Sequence, residues 1–390
     1  HNVHKKILIV KLTCGSKLIR YLQYSILSIV LIRLIHQHRT ASMTLTRREL
    51  LAASGTLAMG LSGLSASVHA AAISNTLKPK RLRPGMTVGL VTPASNVPED
   101  QELHAAMDLV RSLGFSAEPA VNLFSRTQYL AGTDQQRADD LNAMFADTNI
   151  DAIFCVRGGY GSGRLLRNLD YDMIADNPKV IMGYSDITSI LNAIYLRTGL
   201  VTFHGPIAGG NFSDYTYDQY KKVLIEPVQI ARIGEPPEFE TRPGVVDWEN
   251  RLTTIVSGVA EGHLVGGNLS LMVTLLGTPF EPQFEGAILF LEDVDEPPYS
   301  VDRMLTHLWM AGKLEQVAGI VLGKFTDGGY DSNTFSMEEV LRDRLGPLGI
   351  PALRGAMIGH IEDKTVVPLG VQARLDADAG SLTLLEAAVS

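Results

Sequence analysis

Cysteine is scarce in this sequence: of 390 residues, only Cys14 and Cys155 are cysteines. Cys14 lies in an N-terminal segment that we expect the mature protein to lack, and a single remaining cysteine cannot form an internal disulfide. Cys155 lies in the apolar run 153–156, which predicts a buried strand. A catalytic thiol at Cys155 is the less favoured alternative, because buried free cysteine usually serves packing.

Metal-binding motifs are also missing from the sequence. It contains no His-Glu-x-x-His motif, no closely spaced pair of cysteines and no histidine-rich tract. Zinc and related metals are usually held by such patterns. We therefore expect neither a metal centre nor another cofactor.

Basic residues are few in the body of the chain. Residues 1–70 hold nine of the 34 lysines and arginines but only one of the 42 acidic residues, so 25 basic and 41 acidic residues remain, a net charge of about −16. A surface of this charge does not attract nucleic acid or anionic membranes. We expect no nucleic-acid partner, no stable membrane insertion of the mature protein, and a small or uncharged ligand bound in a cleft.

The N-terminal residues are typical of targeting rather than of a fold. Residues 1–42 contain seven basic residues and no acidic one, and Met43 is a natural start, so we interpret 1–42 as a non-native upstream segment, with a membrane anchor as the alternative. Residues 43–72 combine Arg47-Arg48, an apolar stretch and a small-residue cleavage site. This pattern resembles a twin-arginine export signal, with an ordinary export signal as the alternative. It predicts an exported, periplasmic protein.

Helical and strand patterns alternate along the rest of the chain, which predicts an α/β fold with a parallel sheet covered on both faces. Helical spacing and caps predict helices over 99–113, 134–146 and 302–310, with a further helix near 163–169. Apolar runs predict strands over 87–92, 150–156, 180–182, 287–291 and 319–325. The proline-rich, acidic segment 226–261 predicts a linker between an N-terminal domain (82–225) and a C-terminal domain (262–390).

The sharpest candidate for chemistry is Ser185, in Gly183-Tyr184-Ser185-Asp186, between a predicted strand and a helix. A nucleophilic serine needs such a corner, because the turn lifts its hydroxyl from the sheet and the helix N-terminus directs N–H groups at a developing oxyanion. Ile187 replaces the last glycine of the usual Gly-x-Ser-x-Gly pattern. A serine or aspartate that only caps the helix is the alternative.

A glycine-rich loop, residues 157–164, follows the predicted strand 150–156. Glycines let backbone amides approach a ligand closely. The loop lacks the Lys-Ser/Thr of a phosphate-binding loop and fits the dinucleotide fingerprint poorly, so nucleotide binding is disfavoured. Because ligands bind at the carboxyl ends of parallel strands, the loop is better explained as an oxyanion loop beside Ser185.

The residues alone leave the partners of Ser185 open. A serine nucleophile needs a base, and the base needs a carboxylate that orients it. Four histidines are candidates for the base: His204, His263, His307 and His360. The acids that follow the strand 287–291 are candidates for the carboxylate: Glu292, Asp293, Asp295 and Glu296.

Seven short motifs stand in the order seen in the LD-carboxypeptidase family of serine peptidases, which also contains the microcin C self-immunity peptidases. The resemblance covers roughly residues 82–380. Its motifs are Tyr129-Leu130-Ala131-Gly132-Thr133-Asp134, Arg157-Gly158-Gly159-Tyr160-Gly161, Gly183-Tyr184-Ser185-Asp186, Phe203-His204-Gly205-Pro206, Gly266-Gly267-Asn268-Leu269, Leu291-Glu292-Asp293 and Gly359-His360.

This resemblance implies a catalytic triad of Ser185 as nucleophile, Glu292 as orienting acid and His360 as base. It also implies a parallel-sheet N-terminal domain similar to class I glutamine amidotransferases, a mixed α/β C-terminal domain, a site between them, and a homodimer. We further hypothesise that the backbone N–H groups of Gly159 and Asp186 form the oxyanion hole. Residues 361–363 are more acidic here than is typical of the family.

The activity implied by the resemblance is removal of the terminal D-alanine from murein tetrapeptides, which are cut at an L,D-peptide bond. One alternative is hydrolysis of a peptidyl-nucleotide antibiotic, as in the self-immunity branch, although an exported protein would not meet that substrate in the cytoplasm. A non-catalytic murein-binding module on the same fold is the other alternative.

Overall fold

The computed structural model describes residues 76–329 and 334–390, so the predicted upstream segment (1–42) and export signal (43–72) lie outside the described residues. All elements described below belong to one contact unit, Ala71–Ser390. No helix in the described part of the chain is long and apolar enough to cross a membrane.

The first sheet has six strands in the order β12-β5-β4-β3-β1-β2, in which β12 is Val367–Leu369 and the strands β1 to β5 run parallel. Their apolar runs are continuous because helices cover both faces of the sheet. The bounds of these parallel strands are β1 (Thr87–Val91), β2 (Ser116–Pro119), β3 (Ala152–Cys155), β4 (Val180–Gly183) and β5 (Thr202–His204).

Capping side chains determine where helices around this sheet begin. The helix predicted over 134–146 spans those residues, because the Thr133 side chain accepts a bond from the Gln136 N–H and the Gln136 side chain accepts one from the Thr133 N–H. The helices are α1 (Asp100–Ser112), α2 (Asp134–Ala146), α3 (Tyr171–Asp176), α4 (Thr188–Thr198) and α5 (Asp214–Tyr220), and a π-helical segment, Lys221–Ile225, extends α5.

The helix predicted near 163–169 is instead a single 3₁₀ turn, Ser162–Leu165. Ser162 is already committed to Asp186: its N–H donates to the Asp186 carboxylate at 2.7 Å and its hydroxyl donates to the Asp186 carbonyl. These bonds hold the start of the turn against the residue that follows Ser185, and a longer helix does not form.

The second sheet has eight strands in the order β6-β14-β13-β8-β9-β10-β11-β7. Strands β8 to β11 run parallel, and the remaining pairings are antiparallel, which confirms the predicted mixed α/β class. The strands are β6 (Ala231–Ile233), β7 (Thr253–Val256), β8 (Val259–Asn268), β9 (Ile288–Val294), β10 (Gly319–Thr326), β11 (Ala352–Arg354), β13 (Gln372–Asp376) and β14 (Ser381–Leu384). The helices are α6 (Leu269–Leu275), α7 (Pro298–Met310) and α8 (Met337–Leu345).

Two segments supply strands that the sequence pattern did not indicate. The segment 226–261, predicted as a linker, supplies both edge strands of the second sheet, β6 and β7, together with the start of β8. Strand β12 (Val367–Leu369), from the C-terminal part of the chain, pairs antiparallel with β5 in the first sheet. Short strands of three or four residues carry too little periodicity to be recognised from sequence.

Helix α4 packs closely against strand β8. The Thr188 hydroxyl accepts a bond from the Asn268 N–H at 3.0 Å, and the Asn192 side chain donates to the Gly266 carbonyl at 2.9 Å. Gly267 has a φ of +135°, and a Cβ at this position would lie 2.6 Å from the Thr188 side chain. Because α4 follows Ser185 and β8 pairs with β9, this contact fixes the first sheet's serine relative to the second sheet's acid.

Replacing Gly267 with Ala should lower the free energy of unfolding by roughly 3 kcal/mol or more, since it adds both backbone strain and overlap with Thr188. Thermal and denaturant unfolding measure the effect. Gly312→Ala is the matched control, because Gly312 also has a positive φ (+67°) but nothing lies within 4 Å of its added Cβ; we expect it to cost about 1 kcal/mol. Equal losses in the two variants would contradict the packing role of Gly267.

Candidate active site

Ser185 lies in a strained turn between β4 and α4. Its φ is +64°, a left-handed conformation that is uncommon for a residue other than glycine. Strain of this kind costs about 1–3 kcal/mol and persists where the surroundings impose it. Here the preceding Gly183 allows the sharp turn, because a Cβ there would lie 3.0 Å from Ile187 and 3.1 Å from Cys155. The Ser185 side chain remains partly exposed at the carboxyl end of the sheet.

The glycine-rich loop lies directly against Ser185. A Cβ on Gly158 would stand 2.9 Å from the Ser185 Cβ and 3.1 Å from its hydroxyl oxygen, so only glycine leaves room there. Gly159 has a φ of +99°, and a Cβ on it would overlap the side chain of Ser95. The Ser95 hydroxyl in turn accepts a bond from the Tyr160 N–H at 3.0 Å. The loop is therefore held between Ser185 and the end of β1.

The two backbone amides predicted for the oxyanion hole are both available. Among the hydrogen bonds of the described residues, neither the Gly159 N–H nor the Asp186 N–H donates to a protein acceptor. The Asp186 nitrogen lies 3.4 Å from the Cβ position of Gly158, on the side of the loop that faces Ser185. Two free amides at this corner can stabilise negative charge on a substrate oxygen.

Buried polar groups behind the loop hold these amides in place. The Asp186 carboxylate is buried and accepts from Ser162, and burial is the main cause that raises its pKa. The Arg137 guanidinium, 2% exposed, donates to the carbonyls of Pro93 and Gly161 and pairs with Asp134 at 2.6 Å. The loop geometry thus depends on the buried side chains of Asp186 and Arg137.

His360 and Glu292 form a hydrogen-bonded pair. The His360 Nδ1 donates to the Glu292 Oε2 at 2.7 Å when the carboxylate is ionised, which leaves Nε2 free to accept a proton. Glu292, at the end of β9, is fully buried, whereas the His360 side chain is 18% exposed. Gly359 has a φ of +126°, and a Cβ there would lie 2.9 Å from the Glu292 Oε2. Glycine before the histidine is therefore needed for the pair to form.

Tyr184 connects this pair to the serine turn. Its ring centroid lies 4.8 Å from that of His360, and Tyr184 is the residue that immediately precedes Ser185. The Glu292–His360 pair therefore lies beside the turn that carries Ser185, although no hydrogen bond joins the Ser185 hydroxyl to His360 among the described residues.

The other three acids at the end of β9 have different surroundings. Asp293 accepts bonds from the Asn268 side chain at 2.8 Å and from the Ser270 N–H at 2.9 Å, so it holds the start of α6. Glu296 accepts from Ser300, and Asp295 is exposed with a φ of +59°. Among the described residues, Glu292 is the one of these four acids that contacts a histidine.

The other candidate histidines do not contact a carboxylate. His307 is exposed on α7, and the His263 Nε2 lies 3.2 Å from the Gln283 carbonyl. His204 is buried at the end of β5, with its ring centroid 6.1 Å from that of Tyr184, and no described group bonds to either of its nitrogens. Burial lowers the pKa of His204 to about 4, so its imidazole is neutral at physiological pH.

Burial disfavours the alternative of a catalytic thiol at Cys155. Cys155 is fully buried on β3, and burial raises the pKa of its thiol, which suppresses the reactive thiolate. Within residues 76–329 and 334–390, no group of three or more His, Cys, Asp and Glu side chains is arranged to hold a metal ion.

A cavity of about 430 Å³ opens beside the serine turn. Its apolar wall comes from α6 and the residues after it, including Leu275 and Phe280, and Arg164 and Arg167 lie along it. Asp186 and Gly161 line the side nearest Ser185. Ser185, Glu292 and His360 are not among its lining residues, so the cavity adjoins the serine turn through Asp186 and offers room for part of a ligand there.

Sequence reasoning assigned no role to several residues that shape the site: Ser95, Arg137, Ser162 and Tyr184. Ser95 had a usable signal, because it follows a predicted parallel strand adjacent to the one before the glycine-rich loop. The others act through contacts between distant parts of the chain, which no local pattern reveals.

Sequence models of two domains match this chain in order. The LD-carboxypeptidase N-terminal domain matches residues 88–205, which include Ser185, and the LD-carboxypeptidase C-terminal domain matches residues 261–375, which include Glu292 and His360. Together the two matches span more than half of the chain.

Individual proteins are similar over most of their length. The probable murein peptide carboxypeptidase of Bacillus subtilis (strain 168) is 41% identical over 315 residues, 80% of this chain and 95% of the relative. A solved muramoyltetrapeptide carboxypeptidase from Oxalobacter formigenes has a TM-score of 0.66 at 29% identity, over 77% of this chain and 98% of that one.

The third relative is the microcin C7 self-immunity protein MccF of Escherichia coli, 31% identical over 280 residues, 66% of this chain and 80% of MccF. A structure of MccF in complex with glutamyl sulfamoyl guanosine has a TM-score of 0.74 at 28% identity, over 80% of this chain and 100% of that one. With both domains matched in order and a relative 41% identical across most of its length, the chain belongs to the LD-carboxypeptidase family.

Proposed function

We propose that this protein is a serine carboxypeptidase that removes the terminal D-alanine from murein tetrapeptides. The observation that carries the proposal is the buried hydrogen bond between Glu292 and His360, which lies beside the strained turn of Ser185. The names of the relatives from Bacillus subtilis and Oxalobacter formigenes support a murein peptide as substrate.

In the proposed first step, the Ser185 Oγ attacks the carbonyl carbon of the bond before D-alanine while His360 Nε2 takes the hydroxyl proton. Glu292 orients the ring and stabilises the imidazolium. The substrate carbonyl oxygen becomes an oxyanion held by the Gly159 and Asp186 N–H groups, each typically contributing about 3 kcal/mol to lowering the barrier. The C–N bond then breaks, and His360 donates its proton to the leaving amine.

In the second step, water attacks the acyl-enzyme and His360 again accepts the proton. The tetrahedral intermediate collapses, the Ser185–acyl bond breaks, and the serine recovers its proton from His360. The cavity beside Asp186 suits the retained part of the peptide, because its wall is apolar and Arg167 supplies positive charge for a carboxylate, whereas Arg164 is paired with Asp134.

The MccF likeness supports a second candidate, hydrolysis of an acyl-nucleoside conjugate. The exposed rings of Tyr129 and Tyr160, whose centroids are 5.8 Å apart, would offer a stacking surface, and Tyr160 lines the cavity beside Asp186. Incubating one enzyme preparation with a murein tetrapeptide and with a glutamyl sulfamoyl nucleoside distinguishes the two. We expect the tetrapeptide to be the better substrate.

The proposal also includes the location and assembly of the protein. We expect export to the periplasm through the signal of residues 43–72, since murein peptides are present there, and we expect a homodimer as the family resemblance implies. A murein peptide is the only partner required by the proposed chemistry, and no cofactor enters it.

Replacing Ser185 with Ala should reduce D-alanine release by about 10⁴-fold or more, because no other group can form the acyl-enzyme. Glu292→Gln should reduce kcat by roughly 10³- to 10⁴-fold while the protein stays folded, because the amide no longer fixes the histidine tautomer. Mass spectrometry of the peptide products measures both effects. Asp295→Asn, at an exposed acid near the end of the same strand, is the control; near-normal turnover by Ser185→Ala would refute the nucleophile.

The burial of neutral His204 predicts a loss of stability in acid. Its pKa is about 4 when folded and about 6.5 when unfolded, so the unfolded chain binds an extra proton between these values. The stability present above pH 6.5 is therefore lost as the pH falls toward 4, by roughly 3 kcal/mol. His204→Gln should flatten this part of the curve of unfolding free energy against pH. The exposed His307→Gln should leave it unchanged, and an unaltered curve in His204→Gln would contradict the assignment.

Replacing Arg47 and Arg48 together with Lys should block export and leave the precursor in the cytoplasm, if the pair is read as a twin-arginine signal. Fractionation of cells with an antibody to the mature protein measures this. Replacing Arg81 and Arg83, which follow the signal, with Lys is the control, and we expect it to have no effect. Export that continues unchanged in the Arg47/Arg48 variant would exclude the twin-arginine route.

A further inference from the structure

Lys364 is a partly buried lysine without a partner. In the portion of the chain that the structure describes, its ammonium makes no hydrogen bond and no ion pair, and its contact is with the face of the Tyr184 ring, 5.4 Å from the ring centroid. The other partly buried lysines have acceptors: Lys179 donates to the Met144 carbonyl, Lys313 pairs with Glu281 and Lys324 donates to the Glu249 carbonyl. Lys364 therefore retains an unused capacity to bind an anion.

A partly buried ammonium without an acceptor lowers the stability of the folded protein unless a ligand compensates for it. Burial is the main cause that lowers the pKa of the Lys364 ammonium, while the carboxylates of Asp363, Glu362 and Glu292 act in the opposite direction. None of these carboxylates lies within ion-pair distance of Lys364. Asp363, its neighbour in the chain, instead accepts a bond from the Ser213 hydroxyl at 2.6 Å.

The backbone of Lys364 is firmly held. Its N–H donates to the Thr216 hydroxyl oxygen at 3.0 Å, and the same hydroxyl donates to the Glu362 carbonyl at 3.0 Å. The next residue, Thr365, donates its N–H to the Met357 carbonyl at 2.8 Å. The first turn of α5 thus fixes where the lysine stem leaves the chain, and only the side chain is free to adjust to a ligand.

The ammonium is also close to the proposed reaction. The Tyr184 ring contacts both groups. Its centroid lies 5.4 Å from the Lys364 ammonium nitrogen and 4.8 Å from the centroid of the His360 ring. In a carboxypeptidase, the amine that the base protonates belongs to the terminal residue, whose carboxylate is one carbon away. Because the ammonium and the base contact the same ring, the carboxylate of a residue whose amine is at the base comes within reach of the lysine side chain.

We infer that Lys364 binds the terminal carboxylate of the substrate and so makes the enzyme act on chain ends. This inference rests on the proposed carboxypeptidase function and deepens it. A charge-assisted bond from an ammonium to a carboxylate is strong when water is partly excluded, and Tyr184 excludes water from one side of this lysine. An internal peptide bond, or a terminus blocked as an amide, offers Lys364 no negative charge.

The test compares a murein tetrapeptide that ends in D-alanine with the same peptide that ends in D-alaninamide. Full-length protein is used as wild type and as Lys364→Met, Lys364→Arg and Lys80→Met; Lys80 is an exposed lysine in the lead-in segment and controls for loss of one charge. The readout is kcat and KM for each peptide, and thermal unfolding checks that each variant is folded.

We expect wild type to prefer the free carboxylate, and Lys364→Met to lose this preference by about 10- to 100-fold, mainly through a higher KM for the acid peptide. The amide peptide should be turned over by Lys364→Met about as well as by wild type. Lys364→Arg should keep most of the preference, and Lys80→Met all of it.

Two results would overturn the inference while leaving the proposed function intact: wild type that hydrolyses both peptides equally, or Lys364→Met that loses activity equally on both. Wild type that releases D-alanine or D-alaninamide from neither peptide would overturn the carboxypeptidase function, and the role of Lys364 with it.

Discussion

The close contact between helix α4 and strand β8 is the constraint on which the site depends. Ser185 begins the segment that becomes α4, whereas Glu292 lies on β9, the neighbour of β8 in the other sheet. Gly267 lacks the side chain that would push helix α4 away, and two hydrogen bonds join the elements: the Asn192 side chain donates to the Gly266 carbonyl, and the Asn268 N–H donates to the Thr188 hydroxyl. Adding even one methyl group at this contact would move the nucleophile relative to its base, because closely packed interiors transmit such displacements.

The conformation of the site lowers the stability of the fold. Ser185 has a left-handed conformation, Glu292 is a fully buried carboxylate, and no described group bonds to its Oε1. Breaking a buried pair by removal of one partner usually costs several kcal/mol, about 3–5, because a charge is left uncompensated. His204 adds a second buried titratable ring beside the pair. Concentration of strain and buried charge in one place is typical of a site selected for chemistry rather than for stability.

Much of the fold could be predicted from local patterns. The helix over 134–146 was predicted from helical spacing, with Leu141 and Phe145 on one face, and its observed bounds agree to the residue. The strands around 87–92 and 180–182 were predicted from continuous apolar runs. The exchange of β12 into the first sheet could not be predicted, because three residues carry no recognisable period. The edge strands β6 and β7 were hidden in a proline-rich segment whose composition indicates loop.

One part of the site, the candidate nucleophile, could also be predicted from a local pattern. A strand followed by Gly-x-Ser and a helix identifies a nucleophile candidate from neighbouring residues alone. The choice of His360 among four histidines depends on a contact with Glu292 across 68 residues, so it came from family resemblance and not from spacing. The isolation of Lys364 is a property of three-dimensional packing, since its sequence neighbours Glu362 and Asp363 suggest an ion pair that the fold does not form.

The central claim is that the Glu292–His360 pair activates Ser185. The most direct measurement is to treat the purified protein with a fluorophosphonate, a reagent that phosphonylates activated serines, and to locate the modification by peptide mass spectrometry. We predict one modification per chain, on Ser185, and a labelling rate that falls steeply when His360 is replaced with Gln. Labelling at a different residue, or labelling of Ser185 at the same rate without His360, would contradict the claim.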